Sequence, residues 1–401
     1  MRTTWSFYSA GTLIFGEHAV RRLGETARRL AARRILVVTD AVLERVGVLA
    51  QVRDALVLAG IEVVAFMGGE PEPSFETAEA CLAFARAVRP DALLGLGGGS
   101  NMDLAKATAV LLAHGGNPAD YVGEDRVPGP VHPLICVPTT AGTGSEVSSA
   151  AVLTDTANRL KVSILSNYLR PRAAIVDPLL THDCPPHVTA DSGIDALTHA
   201  IESLTAIDYT NFPLADDETS LHQGKTPLAD LFAERAVKLI GQHLRRAVAD
   251  GNDREARSGM ALAATLAGLA FSNSAVALVH ALEYPVGGLV HVSHGRGNGL
   301  LLPYVMRFNL DARRPQLARI AQLLGEDVAG LSETDAALRA VAAVERLRSD
   351  VGIPNRLADI GIATEHLPTI AAKAFGIQRL MRVNPRPVTA DDLLAILQLA
   401  L

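Results

Sequence analysis

Asp195 and His199 stand four residues apart in the stretch DALTHAIES (195–203). On a helix that spacing sends both side chains from one face, just over a turn apart. The rest of the stretch patterns as a half-buried helix, so a carboxylate and an imidazole share a core-directed face. A buried hydrogen-bonded pair is one reading, and half of a metal site is the other. Further donors stand in VHALEYPVGGLVHVSHGRGNGLLLP (279–303), which holds His280, His291 and His294 of the chain's 12 histidines. A lone histidine on an apolar helix face is more often a core residue than a ligand. One carboxylate with three imidazoles suits a borderline divalent ion, Fe2+ or Zn2+, whereas Mg2+ and Ca2+ take oxygen shells. Spacing alone does not choose between His291 and His294, and it leaves Asp191, one turn before Asp195, as an alternative.

A second chemistry is written in GLGGGSNMDLAKA (95–107), which follows a strand pattern and opens a helix. Glycines let the backbone approach a ligand closely, and free N–H groups at a helix start favour a phosphate. Ser100 or Asn101 is placed to cap that helix. The Walker pattern fails, because Lys106 comes too late and is followed by alanine; GxGxxG fails, because position 100 is serine. The best ribose-binding acid is Asp40, at the end of an earlier strand. A carboxylate there can bond both ribose hydroxyls and repels a 2′-phosphate, which favours NAD over NADP; it serves equally as the N-cap of a helix from 42. The loop PTTAGTGSEVSSAAVLTD (138–155) concentrates hydroxyls and glycines after another strand. It suits pyrophosphate and nicotinamide contacts, or a polar turn leading into a hairpin.

The elements that must carry these residues divide the chain. Through about residue 185, strand patterns at 34–40, 61–66, 91–97 and 132–140 alternate with helix patterns at 42–60, 74–88 (capped by Ser74) and from the glycine turn to about Ala113. That alternation predicts a parallel sheet covered on both faces. After DCPPHVTAD (183–191), helix patterns dominate at 189–204, 228–249, 254–271, 274–283, 314–324, 334–351, 364–374 and 390–400. The expectation is an α/β dinucleotide-binding domain over 1–187 and an all-helical metal-binding domain over 188–401. The polar segment 206–226 is long for a connection, and loops of that kind are usually functional or mobile.

Composition limits the partners. The chain has 401 residues, 49% hydrophobic and 20% charged, with 43 acids against 37 bases for a net charge of -6. Mild acidity gives no electrostatic reason to expect nucleic acid or an anionic membrane. No apolar run approaches the ~20 residues of a membrane span, and no signal-peptide pattern opens the chain. Cys81, Cys136 and Cys184 have no CxxC spacing and read as reduced thiols of a cytoplasmic protein. A small-molecule substrate is expected, with a homodimer as the commonest assembly.

Jointly, GGGSNMDLAK, PTTAGTGSE, GIDALTHAIES, HVSHGRGNGLLLP and the ending NPRPVTADDLLAIL (384–397) resemble the iron-containing (group III) alcohol dehydrogenases. The resemblance runs the length of the chain in the right order. It implies NAD(P) on the α/β domain and a divalent metal on the helical one. Carried over residue by residue, it implies Asp195, His199, His280 and His294 as metal ligands, with His294 rather than His291 in the HG position of the motif. Asp40 falls at the cofactor-selecting acid. Gly97, Gly98, Gly99, Ser100 and Asp103 match the pyrophosphate loop; Thr139, Thr140 and Ser145 match the second loop; Lys161 corresponds to a lysine near the cofactor ribose.

Two positions depart from the family. Tyr284 stands where many members have a proton-relaying histidine, and a phenol is a poorer relay at neutral pH than an imidazole. Glu72 in PEP (71–73) replaces a frequent asparagine near the cofactor. The implied activity is reversible hydride transfer between an alcohol carbon and nicotinamide, with the metal as Lewis acid on the substrate oxygen. The insert ending in HQGKTPLADLFAERAV (222–237), together with Tyr284, also resembles the hydroxyacid–oxoacid transhydrogenases, the runner-up. A lyase resembling dehydroquinate synthase ranks lower, since Lys161 and Arg296 are the few bases the motifs offer a phosphorylated substrate.

Overall fold

The structure is a computed structural model and describes residues 2–158, 160–214 and 220–401. It divides into two units, one from Tyr8 to Cys184, the other made of Pro185–Leu401 with the segment ending at Phe7. The division falls slightly before the 187/188 boundary expected from composition, and the first residues group with the helical unit.

In the Tyr8–Cys184 unit the strands are β1 (Leu13–Phe15), β2 (Arg34–Val38), β3 (Glu62–Phe66), β4 (Ala92–Gly97), β5 (Gly123–Glu124), β6 (Leu134–Pro138), β7 (Ala150–Asp155), β8 (Leu160–Leu165) and β9 (Ala173–Val176). Six form one sheet in the order β1-β9-β6-β4-β2-β3, every pair parallel. Side chains alternate between two cores, Leu36, Val38 and Leu93 in one and Ile35, Val37 and Leu94 in the other. The strands are therefore apolar throughout, as a sheet covered on both faces requires. β7 and β8 form an antiparallel hairpin with β5 at its edge. The edge pair β1 and β9 is too short to stand out in the sequence. The helix anticipated over 42–60 is two, Ala41–Arg45 and Val48–Val57, broken at Gly47 with φ 79°. The central order β6-β4-β2 brings together the loops that leave the carboxyl ends of those strands. In open α/β sheets this is the ligand-binding edge.

The other unit is helical. Its helices run Pro186–Thr205, Pro227–Ala249, Arg254–Ser274, Leu278–Val290, His294–Phe308, Arg314–Leu323, Glu333–Asp350, Leu367–Phe375 and Ala390–Ala400, besides shorter turns. Thr226, Asp253, Ser332 and Thr389 cap four of them through side-chain oxygens. Helix Pro186–Thr205 packs on Pro227–Ala249, Arg254–Ser274 and His294–Phe308. The sequence reading passed over His294–Phe308, since three early glycines and Pro303 oppose helix propensity. Packing decides there: a Cβ on Gly295 would lie 2.0 Å from the carbonyl oxygen of Asp191, and one on Gly297 2.8 Å from Glu283 Cγ. Among the described residues no single helix is long and apolar enough to cross a membrane.

The roots of the polar segment 206–226 are pinned. Asp208 accepts from Arg313 at 2.8 Å and lies 3.6 Å from Lys225, whose ammonium reaches Asp230 at 2.6 Å. Part of that segment, 215–219, lies outside the described residues.

Candidate functional site

Helix Pro186–Thr205 carries Asp195 and His199, helix Leu278–Val290 carries His280, and His294 begins helix His294–Phe308. One ligand atom each from Asp195, His280 and His294 lies within 4.8 Å of the others. His199 flanks this trio. Its Nδ1 is 3.9 Å from Asp195 Oδ2, and its ring stacks on Phe271 (4.2 Å between centroids) and His280 (4.9 Å). His291 is an exposed residue at a helix C-terminus, apart from the trio. Asp191 is occupied otherwise, accepting from Ser293 Oγ at 2.5 Å and Arg296 Nε at 3.1 Å, the residues on either side of the His294–Gly295 pair. Tyr284 is buried, with its ring centroid 5.9 Å from that of His294.

Both histidines are held from behind by carboxylates. His280 Nδ1 lies 2.6 Å from Glu202 Oε2, and His294 Nδ1 bonds Glu283 Oε2. A carboxylate facing Nδ1 accepts a hydrogen bond from the N–H there, which keeps the proton on Nδ1 and leaves Nε2 with a lone pair. Asn298 agrees from the other side: its Nδ2 donates to Asp195 Oδ1 at 2.8 Å and stands 3.2 Å from each Nε2. Burial pushes the Asp195 carboxyl up, but the imidazoles of His199, His294 and His280 outweigh it and leave it below the usual carboxylate range. Asp195, Glu202 and Glu283 thus bring three carboxylates into a nearly dry place. Such charge is tolerated when a cation offsets it. A carboxylate and converging imidazole lone pairs fit Fe2+ or Zn2+.

Sequence reasoning passed over Glu202, Glu283 and Asn298. A signal for the first two was present: HAIE (199–202) and HALE (280–283) repeat a histidine followed three residues later by glutamate.

The glycine loop sits at the end of β4. Helix Gly99–His114 starts after Gly98 and has no side-chain cap, so its first N–H groups could serve a phosphate. The caps anticipated at Ser100 and Asn101 are not made, because both lie within the first turn. Ser100 Oγ accepts from the Glu72 N–H at 3.2 Å, and Asn101 Nδ2 donates to Asp40 Oδ2 at 2.7 Å. Asp40 Oδ1 caps helix Ala41–Arg45 through the N–H groups of Val42 and Leu43, so its capping role is real. The second loop is tied to the first. The Thr139 N–H donates to the Gly97 carbonyl at 3.0 Å, while Thr140 lies against Gly98. Asp103 Oδ1 accepts from Ser145 Oγ at 2.6 Å and its Oδ2 from the Val152 N–H at 3.0 Å. Asp103 and Ser145 are buried, and Asp103 joins Ser145 to the Val152 backbone, shaping the loops from beneath. Lys106, fully buried, donates to Ser145 Oγ and to the carbonyls of Ser148 and Ala150. Burial holds its ammonium below the usual lysine range. Lys161 pairs with Glu72 at 2.6 Å. Glu72 has φ 53°, a left-handed conformation that asparagine adopts more readily than glutamate.

Two family models divide the chain: "Iron-containing alcohol dehydrogenase" matches residues 10–178, and "Fe-containing alcohol dehydrogenase family, C-terminal" matches residues 189–401. The NAD-dependent methanol dehydrogenase of Bacillus methanolicus is 38% identical over 396 residues, covering 99% of this chain and 100% of its own. Long-chain-alcohol dehydrogenase 1 of Geobacillus thermodenitrificans is 41% identical over 388 residues, covering 96% of this chain and 94% of its own. A crystal structure of 1,3-propanediol oxidoreductase superposes with a TM-score of 0.93 at 36% identity, covering 100% of both chains.

Proposed function

Because this chain belongs to the iron-containing alcohol dehydrogenase family, we propose how its own side chains serve that chemistry. It is an NAD-linked, metal-dependent oxidoreductase acting on small alcohols and on aldehydes or ketones. When bound, the divalent ion supplies Lewis acidity toward the substrate oxygen, and nicotinamide gives or takes the hydride.

Asp195, His280 and His294 hold the ion, and His199, one helical turn beyond Asp195, is its fourth ligand. The observation that carries this assignment is the convergence of Asp195 with two Nε2 atoms whose Nδ1 partners are carboxylates. Gly97, Gly98 and Gly99 give the pyrophosphate its approach, with Ser100, Thr139 and Thr140 around it. Asp103 and Ser145 set the loop shape. Asp40 bonds the adenosine ribose hydroxyls and disfavours NADP, and Lys161 lies toward the other ribose. Tyr284 exchanges the substrate proton from beside His294. Cys81, Cys136 and Cys184 have no CxxC spacing, in keeping with a cytoplasmic enzyme. We take it to be a homodimer, a point for light scattering.

The test is NAD reduction across alcohols and hydroxyacids on metal-analysed protein. NADH should form, disappear on chelation and return with Fe2+ or Zn2+. Activity that survives complete metal removal sinks the assignment. Turnover that requires an oxoacid and no added NAD moves it to the transhydrogenases.

A further inference from the structure

The histidine–carboxylate pairs form a series along the chain. His199 and Glu202 are at i and i+3 of helix Pro186–Thr205, and His280 and Glu283 at i and i+3 of helix Leu278–Val290. At that spacing imidazole and carboxylate leave from the same face. The bonds at Nδ1 run from one helix to another. Glu202 accepts the Nδ1–H bond of His280 on the next of these helices, and Glu283 accepts that of His294 on the one after. Glu202 has a second role: Oε1 accepts the Val279 N–H at 2.7 Å, so one carboxylate fastens the start of the helix and aims its third residue.

Glu202 is 3% exposed and Glu283 0%. Two acids placed merely to fill space would cost more than apolar residues of the same shape. We infer that Glu202 and Glu283 are positioning residues of the metal centre: helices Pro186–Thr205 and Leu278–Val290 carry ligands, and each also carries the carboxylate that sets a histidine on the next ligand-bearing helix. Resting on the centre assigned above, the inference adds what holds its imidazoles. Bonding at Nδ1 fixes the tautomer and locks the ring plane, so that Nε2 presents its lone pair toward Asp195. The Asn298 amide, 3.2 Å from both Nε2 atoms, has one N–H left after Asp195 and is placed to donate it to one of those lone pairs.

The test compares Zn2+ affinity by chelator competition, and the visible spectrum of Co2+-loaded protein, for wild type, Glu202→Leu, Glu202→Gln, Glu283→Leu, Glu283→Gln and His280→Ala. Circular dichroism and NAD binding report folding. The leucine variants should bind metal about 10–100-fold more weakly and shift the Co2+ bands. The glutamine variants keep a carbonyl oxygen that accepts the Nδ1–H bond, and should recover to within about tenfold of wild type with spectra between the two. Leucine variants with wild-type affinity and spectrum overturn the inference and leave the centre standing. Wild type that binds neither ion, or His280→Ala that binds as wild type does, overturns the centre itself. If a leucine variant does not fold, its glutamine counterpart decides, and wild-type affinity with an unshifted spectrum counts against us.

Discussion

The two candidate sites are built on opposite plans. At the sheet edge, polar side chains bond one another: Asp40 with Asn101, Asp103 with Ser145, Glu72 with Lys161. What remains for a ligand is mostly backbone, the uncapped start of helix Gly99–His114. In the helical unit the side-chain donor atoms face one another, and a rear set of carboxylates orients them. A site made of backbone tolerates changes in side-chain chemistry but no added bulk where the ligand approaches. One made of side chains depends on single atoms, and is lost with any of them.

The largest expected effect breaks the helical site alone. His280→Ala or Asp195→Ala should empty the centre and lower kcat/KM by at least about a thousandfold, the kinetic equivalent of several kcal/mol of Lewis-acid stabilisation. NAD titration of the same variants should match wild type. A parallel loss of NAD binding would show that the two plans are not independent.

Next come the glycines, where the plans diverge in stability. Gly295→Ala places a methyl 2.0 Å from a backbone oxygen and should cost about 1–3 kcal/mol in a chemical melt. In Gly98→Ala the methyl meets Thr140 at an ordinary 3.5 Å, so the fold should hold while NAD affinity drops about tenfold, or ~1.4 kcal/mol. Equal destabilisation by both would erase the contrast.

A smaller effect is expected at Asp40. Asp40→Gly removes the carboxylate while glycine still serves as an N-cap, so stability should fall by only a few tenths of a kcal/mol. The NADP-to-NAD ratio of kcat/KM should rise about tenfold, ~1.4 kcal/mol of discrimination. An unmoved ratio leaves Asp40 as a cap and nothing more. The smallest is Tyr284→Phe. Loss of proton exchange should change the pH–rate profile and slow turnover by about threefold, far below the 10²–10⁴ of a full acid–base catalyst. An unaltered profile makes the tyrosine packing.

How much of this could be read from residues follows from the same contrast. The β2, β4 and β6 strands were legible because both faces are buried and their apolar runs are unbroken. The Asp195–His199 spacing was legible because helical periodicity is rigid. Helix His294–Phe308 was not, because Gly295 and Gly297 exist for contacts with Asp191 and Glu283, which are distant in sequence. Ser100 and Asn101 were read as caps by local rule, and their partners Glu72 and Asp40 came from elsewhere in the sheet. The glutamates behind His280 and His294 were hidden because each serves a histidine on a different helix.

Helices Arg254–Ser274 and Leu278–Val290 meet at 104°, and the corner residue is Ala275 at φ 81°, ψ 168°. That region of backbone space is comfortable for glycine and costs an alanine about 1–3 kcal/mol. An L-residue kept there makes a stiff bracket rather than a hinge. The angle at which helix Leu278–Val290 leaves the corner, and with it the direction from which His280 enters, is then fixed by the chain itself.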